Sequence, residues 1–169
     1  MSLLETLLLP AVLLAFSPIA FVLKESLLSY PAFGRVVRAT RPISVSRRNP
    51  REDLKQVLRQ GQECLEAGRS VVLFPQATRS ATFSPKRFNT LGAKLAHRAQ
   101  VPVVPLAVRT DFLRNGRLLK DFGPVDPAKP VCFSFGPSLE NADARVRQRD
   151  IVGFVRSKLE SWGFVTEEG

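Results

Sequence analysis

Histidine, cysteine and acidic side chains are scarce in this chain, and each scarcity removes a class of function. The single histidine, His97, is too few for a histidine-rich metal site. The two cysteines, Cys64 and Cys132, lie far apart and match no metal or redox spacing, so both read as reduced residues in or near the core, in a cytosolic setting. Tyrosine and tryptophan occur once each beside twelve phenylalanines, which fall mostly at core-like spacings. No nucleic-acid motif is present, so a basic nucleic-acid-binding module is the weakest of the functional readings that the charge permits. Neither a basic start nor a small-residue cleavage site marks a secretory leader. No repeat, linker or low-complexity tract divides the 169 residues, so residues 1–169 read as one domain.

What is present is a positive charge. Lys and Arg number 25 against 15 Asp and Glu, a formal net charge of +10. That balance suits an anionic partner such as a membrane surface, a phosphorylated substrate or nucleic acid; an arginine-rich solvated surface is the competing reading. Hydrophobic residues at 44% and charged residues at 24% are ordinary for a folded globular domain and argue against disorder. From Thr6 to Leu23 no residue is charged, which reaches the length of a membrane span. Pro10 and Pro18 interrupt that run, and the expectation is a buried helix followed by a buried strand.

Strand and helix signals then alternate. Ser2-Leu3-Leu4-Glu5 fits a capping box for a first helix that Pro18 ends. Ile19 to Leu23 reads as a strand, followed by short helical pieces through Pro31 and Gly34, and Ile43 to Ser46 as a second strand. Asn49-Pro50-Arg51-Glu52 supplies an N-cap, a first-turn proline and a capping glutamate. The helix it opens places Leu54, Val57, Leu58 and Leu65 on one face, and Gly68 closes it. Val71 to Phe74 is apolar without alternation, as in a strand covered on both faces. Ser84-Pro85 opens a helix with Phe88, Leu91, Leu95 and Ala99 in register. Val103 to Val108 and Val131 to Phe135 read as later strands. A last helix from about Asp143 to Trp162 stacks Ile151, Val155, Leu159 and Trp162, with Gly163 behind it. Such alternation implies an α/β fold, a mostly parallel central sheet with crossover helices.

The strand at Val71 runs abruptly into Pro75, Gln76, Thr78, Arg79 and Ser80. Ligands of open α/β sheets bind at the carboxyl ends of strands, so this polar cluster is where chemistry is expected. Phe74-Pro75-Gln76-Ala77-Thr78-Arg79 resembles the third signature block of the glycerolipid acyltransferases, the lysophosphatidic-acid acyltransferase-like family, usually Phe-Pro-Glu-Gly-Thr-Arg. Gln76 and Ala77 replace the usual Glu and Gly. Val101-Pro102-Val103-Val104-Pro105 is similar to the fourth block, and Ile43-Ser44-Val45-Ser46-Arg47 to the second. Lys24-Glu25 and Pro31-x-Phe33-Gly34 also follow the family pattern, so the likeness runs in order to about Val108. The family's first block is His-x4-Asp. Aligned back from Lys24, its acidic member falls on Glu5 and its histidine would stand immediately before Met1.

The resemblance implies a glycerol-3-phosphate acyltransferase-like fold and acyl transfer from acyl-CoA or acyl carrier protein to a lysophospholipid or glycerol-phosphate hydroxyl, in phospholipid biosynthesis. It implies no bound cofactor and no metal. Glu5 would orient the first-block histidine, the general base for the acceptor hydroxyl; its other reading is a helix-capping residue. Arg47 and Arg79 would meet the acceptor phosphate, beyond neighbouring parallel strands and converging on one anion, with Thr78 adding a hydroxyl and Gln76 a neutral amide. If the turn at Ala77 requires a positive φ, its Cβ costs about 1 kcal/mol. Lys24 faces either anionic headgroups or solvent, and His97, far past the third block, is expected at the surface rather than as a displaced base. The chain as given would be impaired for want of the histidine. Either it lacks the start of its natural protein, with an N-terminal strand and any membrane anchor, or it is a complete protein that kept only the binding site. The second case makes it a non-catalytic phospholipid- or membrane-surface-binding protein. The expected location is the cytoplasmic face of the membrane, peripheral, or membrane-anchored in a full-length form.

Overall fold

The computed structural model describes residues 3–29, 34–76, 82–110, 126–140 and 143–167. Helix α1 (Leu3–Leu14) leads into strand β1 (Ile19–Lys24), and α2 (Gly34–Ala39) into β2 (Ile43–Val45). Helix α3 (Pro50–Glu66), β3 (Ser70–Val72), α4 (Leu91–Ala99), β4 (Leu106–Arg109), β5 (Cys132–Phe135) and α5 (Ala144–Ser161) follow. Among the described residues, β1 pairs in parallel with both β2 and β3, in the order β2-β1-β3. The α/β alternation read from the sequence is therefore the architecture. The same stretches also carry an antiparallel pair, β4 with β5, registered from Leu106↔Phe135 to Arg109↔Cys132.

Each element starts and stops for a local reason. Helix α1 carries Pro10 in its interior. It stops at Leu14, short of Pro18, where Phe16 and Ser17 N–H both donate to the Leu13 carbonyl at 3.0 and 3.2 Å; the residue before a proline is steered out of the helical region, so the turn must come earlier. The expected cap of α1, Ser2, lies outside the described residues. In α3 the signals act as read: Asn49 Oδ1 accepts from Glu52 N–H at 3.4 Å with Pro50 in the first turn. Gly68 exits the helix at a φ of 72°, the left-handed conformation that glycine adopts without a Cβ penalty. The apolar face of α3 differs from expectation. Val57 and Gly61 are buried while Leu54 is exposed, because Leu95 of α4 comes so close to Gly61 that an added Cβ would lie 2.7 Å from it.

Two clusters form the core. Leu9, Ile19, Phe21, Leu23 and Val37 join α1, β1 and α2, with Phe74, Leu106, Val108 and Phe133 packed against them. Phe83, Ala93, Ile151, Val155 and Leu159 join α4 and α5 to the segment ahead of them. The stripe expected on α5 is buried, and it includes a residue that was not expected. Arg147 is 2% exposed, and its Nε and Nη1 have no hydrogen-bond partner among the described residues.

Three expectations need correction. β3 is shorter than Val71 to Phe74, and those residues are half-buried, since in the described sheet β3 has a neighbour on one edge alone. Ser84-Pro85 opens a single 3-10 turn, Pro85–Arg87, and α4 begins separately at Leu91. Asn89 Oδ1 accepts from Leu91 N–H at 3.1 Å, a second start signal that divides the run. The fourth strand begins at Leu106, because Pro102 and Pro105 have no N–H for a ladder. Val103 makes only an isolated bridge with Leu139.

Candidate functional site

Parallel pairing puts the carboxyl ends of β1, β2 and β3 at one edge of the molecule, marked by Lys24, Val45 and Val72. Helix α1 packs against β1. Residues 15–18 link it to β1, and Leu9 and Leu13 pack on the β1 side chains. Its 12 residues span about 18 Å, close to the roughly 20 Å of a six-residue strand. A helix that folds back over so short a link brings its first turn, with Glu5, toward the carboxyl end of β1. The Glu5 side chain itself lies outside the described residues.

Arg47 stands two residues beyond β2, exposed, in the left-handed region at a φ of 60°. A carboxylate holds it there. Asp53, in the first turn of α3, accepts from Ser46 N–H at 2.9 Å and from the Ser46 hydroxyl at 3.2 Å through Oδ1, and from Arg47 N–H at 2.7 Å through Oδ2. The Ser46 hydroxyl in turn accepts from Arg48 N–H at 3.1 Å. Gln76, half-buried, follows β3 in a bend. Just before it, the Pro75 carbonyl accepts from Asn89 twice, from Nδ2 at 2.6 Å and from the backbone N–H at 3.2 Å. Gln148 of α5 donates through Nε2 to the Phe88 and Asn89 carbonyls, each at 3.3 Å. The strand end carrying Gln76 is thus tied through Asn89 to the last helix.

Thr78 and Arg79, and with them Ala77, lie outside the described residues. The expectation of neighbouring strands is corrected, because β1 lies between β2 and β3. Two strand spacings separate the Arg47 and Gln76 branches by about 10 Å, and Lys24, exposed, ends the strand between them. His97 is exposed in the last turn of α4, as expected of a surface residue. Cys64 and Cys132 are both free thiols and half-buried. Among the described residues no group of His, Cys, Asp and Glu could hold a metal ion, and no helix is long and apolar enough to cross a membrane.

Sequence reasoning missed Asp53 and Asn89. The signal for Asp53 was a second acid directly after the capping Glu52. For Asn89 it was an Asn-Thr pair breaking an otherwise helical run. Neither residue type declares by itself which backbone it will hold.

Comparison with known proteins gives the family and the fold. The acyltransferase family model matches residues 2–109. The 1-acyl-sn-glycerol-3-phosphate acyltransferase of Pseudomonas aeruginosa is 40% identical over 92 residues, which cover 54% of this chain and 36% of that relative. The crystal structure of the 1-acyl-sn-glycerophosphate (LPA) acyltransferase PlsC from Thermotoga maritima superposes with a TM-score of 0.67 at 20% identity, over 99% of this chain and 65% of that one. At that identity the superposition shows a shared fold; the family rests on the matched sequence. With its parallel sheet, its ordered blocks and a family model spanning residues 2–109, the chain belongs to the glycerolipid acyltransferase family.

Proposed function

We propose that this chain binds a phosphate-bearing glycerolipid acceptor at the carboxyl edge of its parallel sheet and serves the transfer of an acyl group from a thioester donor to a hydroxyl of that acceptor. The observation that carries this reading is one shared edge. The end of β2 with Arg47 and the end of β3 with Gln76 come to it, and the short link between α1 and β1 supports a first turn of α1 near it. In the reaction the hydroxyl oxygen attacks the thioester carbonyl, its proton passes to a general base, the C–S bond breaks and the thiolate leaves. Arg47 and Arg79 neutralise the acceptor phosphate, Thr78 donates a hydroxyl to it, and Gln76 accepts from a glycerol hydroxyl. Glu5 orients a histidine that acts as the base. The donor is acyl-CoA or acyl carrier protein, so the phosphopantetheine thiol arrives with the donor. A net charge of +10 favours work at an anionic membrane surface and attracts an acidic donor.

The test is an acyl-transfer assay following thiol release, with acyl-CoA and a lysophosphatidate. It compares the chain as given with a form extended so that a histidine directly precedes Met1. Transfer by the extended form, with little by the chain as given, is the expected result. Equal turnover in both would remove the histidine–Glu5 pair from the mechanism. Lysophosphatidate binding without turnover in either would favour the non-catalytic phospholipid-binding reading.

A further inference from the structure

We infer that Asp53 is a positioning residue that fixes the direction in which Arg47 is presented, an inference that rests on reading Arg47 as a ligand of the acceptor phosphate. Asp53 is not needed as the cap of α3, because Asn49 already accepts from Glu52 N–H. Its carboxylate is instead turned back onto the end of β2, where two consecutive backbone N–H groups and the Ser46 hydroxyl donate to it. Such convergence has a backbone consequence. Arg47 stands at a φ of 60°, a conformation that disfavours any residue with a Cβ, and hydrogen bonds to an ionised carboxylate are the strong kind that can hold it there. Reversing φ swings the Cα–Cβ bond of Arg47 and so redirects its guanidinium. Asp53 is itself anchored, since its N–H donates to the Asn49 carbonyl at 2.9 Å and its charge sits at a helix N-terminus, which favours an anion.

The electrostatics argue against a simple alternative. A carboxylate beside a phosphate site repels the ligand, so a residue there for charge alone would weaken binding. With three donors facing its two oxygens, Asp53 spends that charge on backbone geometry. The clamp explains why an acid stands against the backbone of Ser46 and Arg47 at the end of β2.

The experiment measures binding of a short-chain lysophosphatidate to the full chain by titration calorimetry, for wild type, Asp53→Asn, Arg47→Ala and the double variant. Asparagine keeps the shape but can accept from only one of the two N–H groups. Asp53→Asn is expected to weaken binding on the order of tenfold or more, as misplaced binding groups do, and to speed amide exchange at Ser46 and Arg47. Combined with Arg47→Ala it is expected to add nothing further, which a merely structural role would not produce. Unaltered affinity in Asp53→Asn, or a loss that persists undiminished without the Arg47 side chain, overturns the positioning role alone. Absence of lysophosphatidate binding by the wild-type chain overturns both this inference and the functional reading beneath it.

Discussion

Replacing Arg69 by methionine removes a hydrogen-bonded staple at the amino ends of the strands while keeping most of the apolar stem. Arg69 directly precedes β3, and its Nη2 donates to the Ile19 carbonyl at 2.7 Å, to the Thr40 carbonyl at 2.7 Å and more weakly to the Arg41 carbonyl at 3.4 Å. One guanidinium therefore joins the start of β1, the start of β3 and the turn ahead of β2. Ile19 and Thr40 are buried residues, so water is a poor substitute for the lost donor. Hydrogen bonds from charged groups contribute about 1.5–3 kcal/mol each. Two good ones, discounted for a side chain that is only part-buried, come to about 3 kcal/mol. For a domain of this size that lowers the melting temperature by about 6–12 °C. Thermal unfolding followed by far-ultraviolet circular dichroism, with urea titration as a second measure, reads the change. Arg69→Lys should recover part of it, since an ammonium supplies donors to the same carbonyls but lacks the length and the planar, pre-oriented donors of the guanidinium. A loss below about 1 kcal/mol in Arg69→Met would mean that the sheet's amino edge is held by packing alone and would refute the staple.

Three further outcomes test other parts of the structure. Arg147→Met should raise the melting temperature, because two buried guanidinium donors without a partner among the described residues each carry a desolvation cost of about 1–3 kcal/mol; a lower melting temperature would show that the guanidinium is paired with an anion. Gly34→Ala should destabilise by roughly 1–3 kcal/mol or more, since its Cβ would lie 2.3 Å from the Leu28 carbonyl oxygen, and backbone cannot step aside as a side chain can. An alanine variant that melts with wild type would show that the α2 start can shift. Hydrogen bonds from Ser84 and then Thr82 hold the Glu167 carboxyl below its usual pKa. A depressed folded pKa means stabilisation that is complete above the unfolded value and lost as pH falls through the folded one. Acidification from about pH 5 to 3 should therefore loosen the bridge between Phe83 and Thr166, read as a lower amide protection factor at Phe83, relative to its intrinsic exchange rate at each pH. A strap equally protected at both ends of that range would exclude the carboxylate as its tie.

The lesson of the fold lies in particular elements. Asn49-Pro50 and Gly68 were legible because a helix end satisfies its own backbone groups from residues within a few positions. The same holds for α5, whose stripe of Ile151, Val155 and Leu159 repeats at helical spacing; Arg147, four residues before Ile151, shares that spacing, but its charge hid its burial. The division at Asn89 was harder, because two local start signals compete there. The non-alternating run at Val71 to Phe74 reads as a doubly covered strand, yet its residues are half-buried. Apolarity records a preference for burial, and it does not record how many neighbours a strand will find.

The order of strands and helices, the α/β class and the blocks that mark the family are written in residues close together along the chain. That β1 lies between β2 and β3, that β4 and β5 run antiparallel, and that Asp53 clamps Arg47 while Asn89 holds Pro75 emerges only in the folded chain. Those outcomes depend on which backbone groups meet across distant segments. Strand neighbours and hydrogen-bond partners are chosen by packing and by the saturation of N–H and C=O groups, and neither leaves a local pattern in the amino acids.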